Sequence, residues 1–327
     1  MKAFVHEHGK MKLKEMTDPF ADHGQVAVSI RTAGLNRRDV AVPGRRGEDA
    51  DALILGSDGA GVIQSIGEGV SEFSVGDEVI INPALGWYEN SEAPPEQFDI
   101  LGMPDHGTFT ELIVLPAEQV EKKPEHLSWE EAGVLVLSGL TGYRALFTKG
   151  DIQDGETLFM PGAGSGVATY LIQFAKQAGA RVIVTSRSEA KRKQAIELGA
   201  DRALDTNSSW PDELREETID IVIDSVGRAT LNRSLEVLKK GGRLVSFGAT
   251  TEDTVELNLR KFFYGQYKLI GSTMGSQEEL RAMLAFIDKY QIHPIVDQTF
   301  SLDEAHDAMN YLKDGKQFGK IALRIRE

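Results

Sequence analysis

The segment Gly155-Glu156-Thr157-Leu158-Phe159-Met160-Pro161-Gly162-Ala163-Gly164-Ser165-Gly166-Val167-Ala168 sets a glycine-rich turn directly behind a short apolar run. Residues with little side chain let backbone approach a pyrophosphate, whose charge is then stabilised by free N–H groups and by the dipole of a following helix. Gly162, Ala163, Gly164, Ser165, Gly166 and Val167 occupy that turn. The fit to G-x-G-x-x-G is imperfect, since Val167 stands in the third glycine place and only Ala168 offers a small residue for close packing. An ordinary strand-to-helix turn is the plain alternative. Ser186 lies 24 residues beyond Gly162, near where an acid would hold a ribose 2′-hydroxyl, and no acid is there. Serine removes the repulsion of a 2′-phosphate and Arg187 adds a planar fork suited to it, with Lys191 and Arg192 nearby. The cofactor expected is NADPH rather than NADH; a merely solvated basic helix face is the alternative.

The elements that would position these residues are legible in the periodicity. Up to about Glu125 short apolar runs bounded by turn residues predict strands, as in Gln25–Arg31, Gly61–Gly67 and Asp77–Ile81. From Ser128 helices alternate with buried-looking strands, among them Thr157–Met160, Arg181–Thr185, Ile219–Asp224 and Gly242–Gly248, which predicts a parallel sheet covered on both faces. Behind the glycine turn, Val167, Leu171, Phe174, Ala175 and Ala178 form one helical stripe. Gly227 and Gly248 end two of the strands, where a missing side chain leaves room for a cofactor. Helices are expected over Glu278–Tyr290 and Leu302–Leu312, and then a strand, Lys320–Ile325, free to rejoin the N-terminal β section. The loop from Asn82 to Gly107 is long enough to be functional or an embedded lobe.

Composition narrows the function classes. The 327 residues imply roughly two domains at about 150 residues each. A formal charge of −14 opposes binding to nucleic acid or anionic lipid. With no cysteine there is no disulfide, no thiolate nucleophile and no cysteine-ligated zinc. Neither a signal peptide nor a membrane-spanning run is visible, so the expected setting is cytoplasmic.

Several motifs in fixed order carry a resemblance over nearly the whole chain. They are Ala33–Asp39, Gly56-Ser57-Asp58-Gly59-Ala60-Gly61-Val62, Val75–Val79, Gly139–Leu146, the glycine turn, Asp224-Ser225-Val226-Gly227 and Gly315–Lys320. Together they resemble the medium-chain dehydrogenase/reductase superfamily. The resemblance implies an α/β protein with a GroES-like β domain (1–126 and 274–327) and a Rossmann domain, a doubly wound parallel sheet (127–273). It also implies a cofactor cleft, and a homodimer paired through the edge strand near Tyr267–Gly275.

The sequence departs from zinc-dependent members of that superfamily where their metal is held. Asn36 stands in place of a cysteine, Ser57-Asp58 in place of a His-Glu pair, and Leu137 near a further cysteine, leaving Asp58 the only good ligand. No metal site is expected, and His106 reads as structural. Asn36 and Ser57 are then candidate donors to a substrate oxygen, and Thr141 a candidate contact to the cofactor carboxamide. Asp39 and Asp58 would position Arg37 or a water, or else cap a loop. Trp87 and Tyr88 either flank a flat substrate or simply pack. Without a Lewis acid, conjugated acceptors are favoured over simple alcohols, which matches the zinc-independent quinone and enone reductases of the superfamily. The expected activity is therefore NADPH-dependent hydride transfer to a quinone or α,β-unsaturated carbonyl. An alcohol or aldehyde reductase, and a non-catalytic NADPH-binding structural or redox-sensing protein, are the alternatives.

Overall fold

The structure is a computed structural model that describes residues 1–326. The chain gathers into two compact units, Met1–Leu140 with the segment from Gly275 onward, and Thr141–Met274. The first boundary falls at Leu140 inside the helix Val136–Tyr143, later than the expected residue 126. The helix Trp129–Gly133 packs on the strand Gln25–Gly34, and the Leu137 N–H donates to Asp58 at 2.7 Å, so this stretch belongs to the first unit. The second boundary differs from the expected one by a single residue.

In the first unit the strand Gln25–Gly34 is the hub of a seven-stranded sheet. It pairs antiparallel with Asp58–Ile66, Leu112–Pro116 and Lys320–Arg324. Val26, Val28 and Ile30 are fully buried, the inward set of a period-two pattern, and they share one core with Phe109, Ile321 and Leu323. The register puts Gly34 opposite both Asp58 and Ala322. Three distant parts of the sequence therefore meet where this strand ends. Within the Asn82–Gly107 loop Ala84–Leu85 pairs with Asp99–Ile100. Trp87 is 1% exposed and packs edge-on against Phe98 at 5.2 Å, so of the two readings offered for it packing is the one observed.

The second unit is a six-stranded parallel sheet. Numbered in chain order its strands are Thr157–Pro161, Arg181–Ser186, Arg202–Asp205, Ile219–Asp224, Leu238–Ser246 and Lys268–Gly271, and they lie side by side as 3-2-1-4-5-6. This is the doubly wound order whose chain reversal falls between the first and fourth strands, both wholly buried. Phe159, Ile183, Trp210, Val222 and Leu244 pack in its core, with Trp210 edge-on to Phe159 at 5.1 Å. The fifth strand stops at Ser246, which leaves Gly248 just beyond it. No helix among the described residues is long and apolar enough to cross a membrane.

Candidate functional site

In the second unit the strand Thr157–Pro161 ends at Gly162, whose φ of +90° suits glycine. The N–H groups of Gly162 and Ala163 both donate to the Thr185 carbonyl, at 3.1 and 2.8 Å, tying the turn to the neighbouring strand. Ser165 caps the helix Gly166–Gln177, its hydroxyl accepting from Ala168 N at 3.1 Å. Beyond that capped group, the first-turn N–H groups of a helix have no intrahelical acceptor and face an incoming anion. A Cβ at Gly164 would come within 2.7 Å of Lys191 Cδ, so the lysine stem lies against the turn. Leu171, Phe174 and Ala175 of the expected stripe are buried, which anchors the helix behind its N-terminus.

The next strand delivers Ser186 and Arg187. Ser186 is nearly buried, accepts from Ser188 N at 3.2 Å through its hydroxyl, and accepts from Arg192 Nη1 at 2.7 Å through its carbonyl. Arg192 also reaches Asp205 at 3.4 Å and so serves the fold. Arg187 is exposed and has no hydrogen bond or ion pair to the described residues. On the far side of the switch point, Asp224 Oδ1 accepts from Val226 N and Gly227 N at 2.7 and 3.1 Å, while Oδ2 accepts from Thr230 at 2.7 Å. Gly227 has φ +88° and no space for a side chain, since a Cβ would meet Glu252 O at 2.9 Å; Gly248 has no such constraint. Thr141 is a buried residue of the helix Val136–Tyr143. Asp224 was visible in a motif, but sequence reasoning assigned it no part.

In the first unit Asn36 and Asp58 come together, as their former-ligand positions implied. Asn36 Nδ2 donates to Asp58 Oδ2 at 3.0 Å and reaches Gly34 O at 3.4 Å. Asp58 Oδ1 accepts from Leu137 N. Between them sits Lys320, to which the sequence motifs assign no role. Its ammonium donates to Asn36 Oδ1 at 2.6 Å, Leu35 O at 2.9 Å, Ser138 Oγ at 3.1 Å and Asp58 Oδ2 at 3.3 Å. The only advance signal was a lysine opening the strand predicted to rejoin the N-terminal section.

Ser57 is fully buried and turns elsewhere. It donates to Leu101 O at 2.7 Å and accepts from Arg38 Nη1 at 2.5 Å. As placed, Ser57 and Asn36 direct their side-chain hydrogens into the protein rather than toward a substrate oxygen. The arginine beside this cluster is Arg38; Arg37 is exposed, so its positioning by Asp39 or Asp58 is not what the structure shows. Asp39 takes the capping part instead, accepting from Asn36 N at 2.7 Å through Oδ2 while its buried Oδ1 has no partner. Burial pushes its carboxyl up to about 7, against the pull of Arg38 and the Asn36 N–H. His106 Nδ1 accepts from Ile54 N at 3.1 Å, the structural part expected of it, and burial lowers its pKa.

Comparison with known proteins now bears on this geometry. The model of an alcohol dehydrogenase GroES-like domain matches residues 22–125, and that of a zinc-binding dehydrogenase matches residues 166–289. A zinc-type alcohol dehydrogenase-like protein of Schizosaccharomyces pombe is 32% identical over 92% of this chain and 91% of its own. The chain belongs to the medium-chain dehydrogenase/reductase superfamily. It is an oxidoreductase of that superfamily. An acryloyl-coenzyme A reductase of Metallosphaera sedula is 31% identical over 99% of each chain. The crystal structure of an NAD-dependent alcohol dehydrogenase superposes with a TM-score of 0.92 at 32% identity, covering all of both chains.

Membership raises the question of zinc, which needs three protein ligands from His, Cys or carboxylate at a catalytic centre. The residues here do not fit it. Asn36, Ser57, Asp58 and Leu137 offer one carboxylate, whose two oxygens already accept from three donors, one of them an ammonium. No group of three or more His, Cys, Asp or Glu among the described residues could hold a metal. The second unit does fit a dinucleotide, with a small-residue turn leading into a capped helix start at Gly166 and with Arg187 exposed beside Ser186.

Proposed function

We propose that this protein is an NADPH-dependent reductase that transfers hydride to a conjugated carbonyl compound, a quinone or an α,β-unsaturated carbonyl, without zinc. The observation that carries the reading is the donor set around Asp58, where an amide, a hydroxyl and an ammonium replace the ligands a Lewis acid would need. A conjugated acceptor spreads the developing charge over its own π system and so needs less electrophilic help than an isolated carbonyl. The Metallosphaera sedula relative, named for an unsaturated acyl thioester, supports the same substrate class.

Bound NADPH would supply the hydride. In this chain the Gly162–Val167 turn would hold the pyrophosphate, and Ser186, Arg187 and Lys191 would receive the 2′-phosphate, with Gly248 leaving space at a strand end, whereas the place of a side chain at Gly227 is taken by Glu252 O and Ala249. We assign Thr141 to the carboxamide. Asn36, Ser57, Asp39 and Asp58, all buried, would act by fixing the loop that carries Asn36 rather than by touching substrate. Stopped-flow or steady-state oxidation of NADPH with quinones, enones, enoyl thioesters and unconjugated aldehydes tests this reading. Turnover confined to conjugated acceptors is expected; turnover of aldehydes alone would support the alcohol or aldehyde reductase reading, which the NAD-dependent alcohol dehydrogenase neighbour favours.

The reading extends to partners. The edge strand Lys268–Gly271 is unpaired on its outer side, and Leu259, Phe263, Tyr264 and Leu269 are exposed on it and on the preceding helix. A second copy joined there would cover this apolar surface and the open edge. Light scattering reporting two chains for the parent, and one for Leu269→Glu, is the expected result. The charge of −14 keeps nucleic acid and membranes out of the proposal, and a reductase drawing on NADPH fits a cytoplasmic setting.

A further inference from the structure

Arg233 stands on the helix Leu231–Val237, which follows the fourth strand of the second unit, yet its guanidinium is held by groups that lie beyond the third. Nη1 donates to Thr206 O and Nη2 to Ser208 O, both at 2.7 Å, and Cζ lies 3.7 Å from the centroid of the Trp210 ring, which is fully buried. Among the described residues its polar partners are these two carbonyls and no carboxylate. A planar fork suits a pair of carbonyls on one turn, where a lysine presents a single point charge. The turn so gripped is closed from below by Asp205, whose Oδ1 accepts from Asn207 N at 2.8 Å and whose carbonyl accepts from Ser208 N at 3.1 Å.

This turn is bonded in its own right to the groups that would receive a dinucleotide. Thr206 N donates to Ser186 O at 3.3 Å, and Thr206 Oγ1 donates to Thr185 Oγ1 at 3.0 Å. The Thr185 carbonyl in turn takes the N–H groups of Gly162 and Ala163. Hydrogen bonds therefore run from Arg233 through Thr206 to the end of the second strand and on to the glycine turn. The helix that carries Arg233 is fixed at its start, since Asp224 Oδ2 accepts from Thr230 Oγ1 at 2.7 Å and from Ser234 Oγ at 3.3 Å. Anchored on one side of the chain reversal, it reaches with Arg233 to the other.

We propose that Arg233 is a positioning residue for the cofactor: it fixes the turn beyond the third strand and so holds Ser186 and Arg187 where the 2′-phosphate end of NADPH is received, a placement that rests on the NADPH reading above. It acts through the backbone of that turn, and Arg187 is the guanidinium that meets the phosphate. A role as one more positive charge near the phosphate makes a different prediction, because lysine would then serve equally well.

The test titrates the full chain by calorimetry with adenosine 2′,5′-bisphosphate, NADPH and NADH, none of which requires turnover. Arg233→Ala and Arg233→Lys should each bind the bisphosphate and NADPH roughly 3- to 30-fold more weakly than the parent, the range for a residue that acts on a ligand without touching it. Amide hydrogen exchange adds a readout that general loosening would not give. Protection at Thr206 and Ser208 should fall in both variants, while Val226 and Gly227, whose N–H groups Asp224 holds, keep that of the parent. Parent-like affinity in Arg233→Ala would overturn the proposal, as would an Arg233→Lys variant that binds like the parent. Protection lost equally at both places would also overturn it, since Arg233 would then serve the fold as a whole. If Arg233→Ala does not fold, Arg233→Lys decides by the same two measurements. A parent that binds NADH but neither NADPH nor the bisphosphate refutes the NADPH reading and the proposal together. A parent that binds all three, with variants that match it, refutes the proposal alone.

Discussion

The two polar centres of this molecule are built in opposite senses. At the helix start behind the glycine turn and at Arg187 the polar groups remain open, and the Arg187 guanidinium, exposed at a strand end, has no partner within the described residues. Around Asn36 and Asp58 they point inward and saturate one another through Lys320 and Ser138. The first arrangement stores unmet hydrogen-bonding capacity that a ligand completes. The second is completed by the protein itself. An outward centre should therefore answer to cofactor, and an inward one to stability and pH.

Substitutions can break or sharpen that contrast. The largest effect is expected at Asp39, the one inward group left partly unsatisfied. Its carboxyl titrates near 7 in the folded chain against an ordinary 3.8, so the folded state holds the proton more tightly. That stabilisation is complete below about pH 4 and is lost as pH rises through 7. Asp39→Asn mimics the protonated form, so its stability relative to the parent should rise from pH 4 to pH 8, by up to about 4 kcal/mol. Denaturant melts at the two pH values check this, and a difference independent of pH would remove Asp39 from the account.

Next in size is Arg187→Ala, which should weaken NADPH binding on the order of 10- to 100-fold by loss of a charge-assisted contact, with NADH affinity unchanged. Fluorescence titration with both dinucleotides measures it; equal losses for the two would mean that Arg187 does not read the 2′-phosphate. Gly227→Ala should cost about 1–3 kcal/mol of stability through left-handed backbone strain and the approach to Glu252 O. Gly248→Ala should leave stability near that of the parent, since its Cβ would find nothing nearer than 3.5 Å. Any loss of NADPH affinity in Gly248→Ala then reports the space that this glycine keeps for the cofactor. His106→Ala should cost about 1 kcal/mol, because the Ile54 N–H loses its acceptor. Thermal melts read both glycine variants and this one.

Legibility in the sequence followed the separation of the residues involved. The strands Thr157–Pro161, Arg181–Ser186 and Ile219–Asp224 were visible within one residue at either end because each is a compact apolar run between turn residues. The fifth strand of that sheet begins earlier than its apolar run, because Leu238–Gly242 carries Lys239, Lys240 and two glycines, and within it only Leu238 pairs with the fourth strand before the register shifts. In the first unit Asn36 and Asp58 were identified as neighbours through the motifs they sit in. Lys320 was not joined to them, being 262 residues from Asp58. The Arg38–Ser57 contact was missed in favour of Arg37, since adjacent residues at a helix start point to different sides and sequence alone does not say which faces inward.

What the amino-acid order determined by itself was everything set by local chemistry: the β-rich and alternating α/β halves, the glycine turn behind a strand, serine and arginine where an acid would choose the other dinucleotide, and the want of thiolate or paired imidazole ligands. Tertiary structure decided where each polar group spends its hydrogen bonds. The register that sets Gly34 opposite both Asp58 and Ala322 brings Lys320 to Asn36 and Asp58, and its ammonium donates its hydrogen bonds to groups far apart along the chain. The physical reason is that a buried charge is stabilised by whatever donors and acceptors folding brings within about 3 Å of it, whatever their distance along the chain.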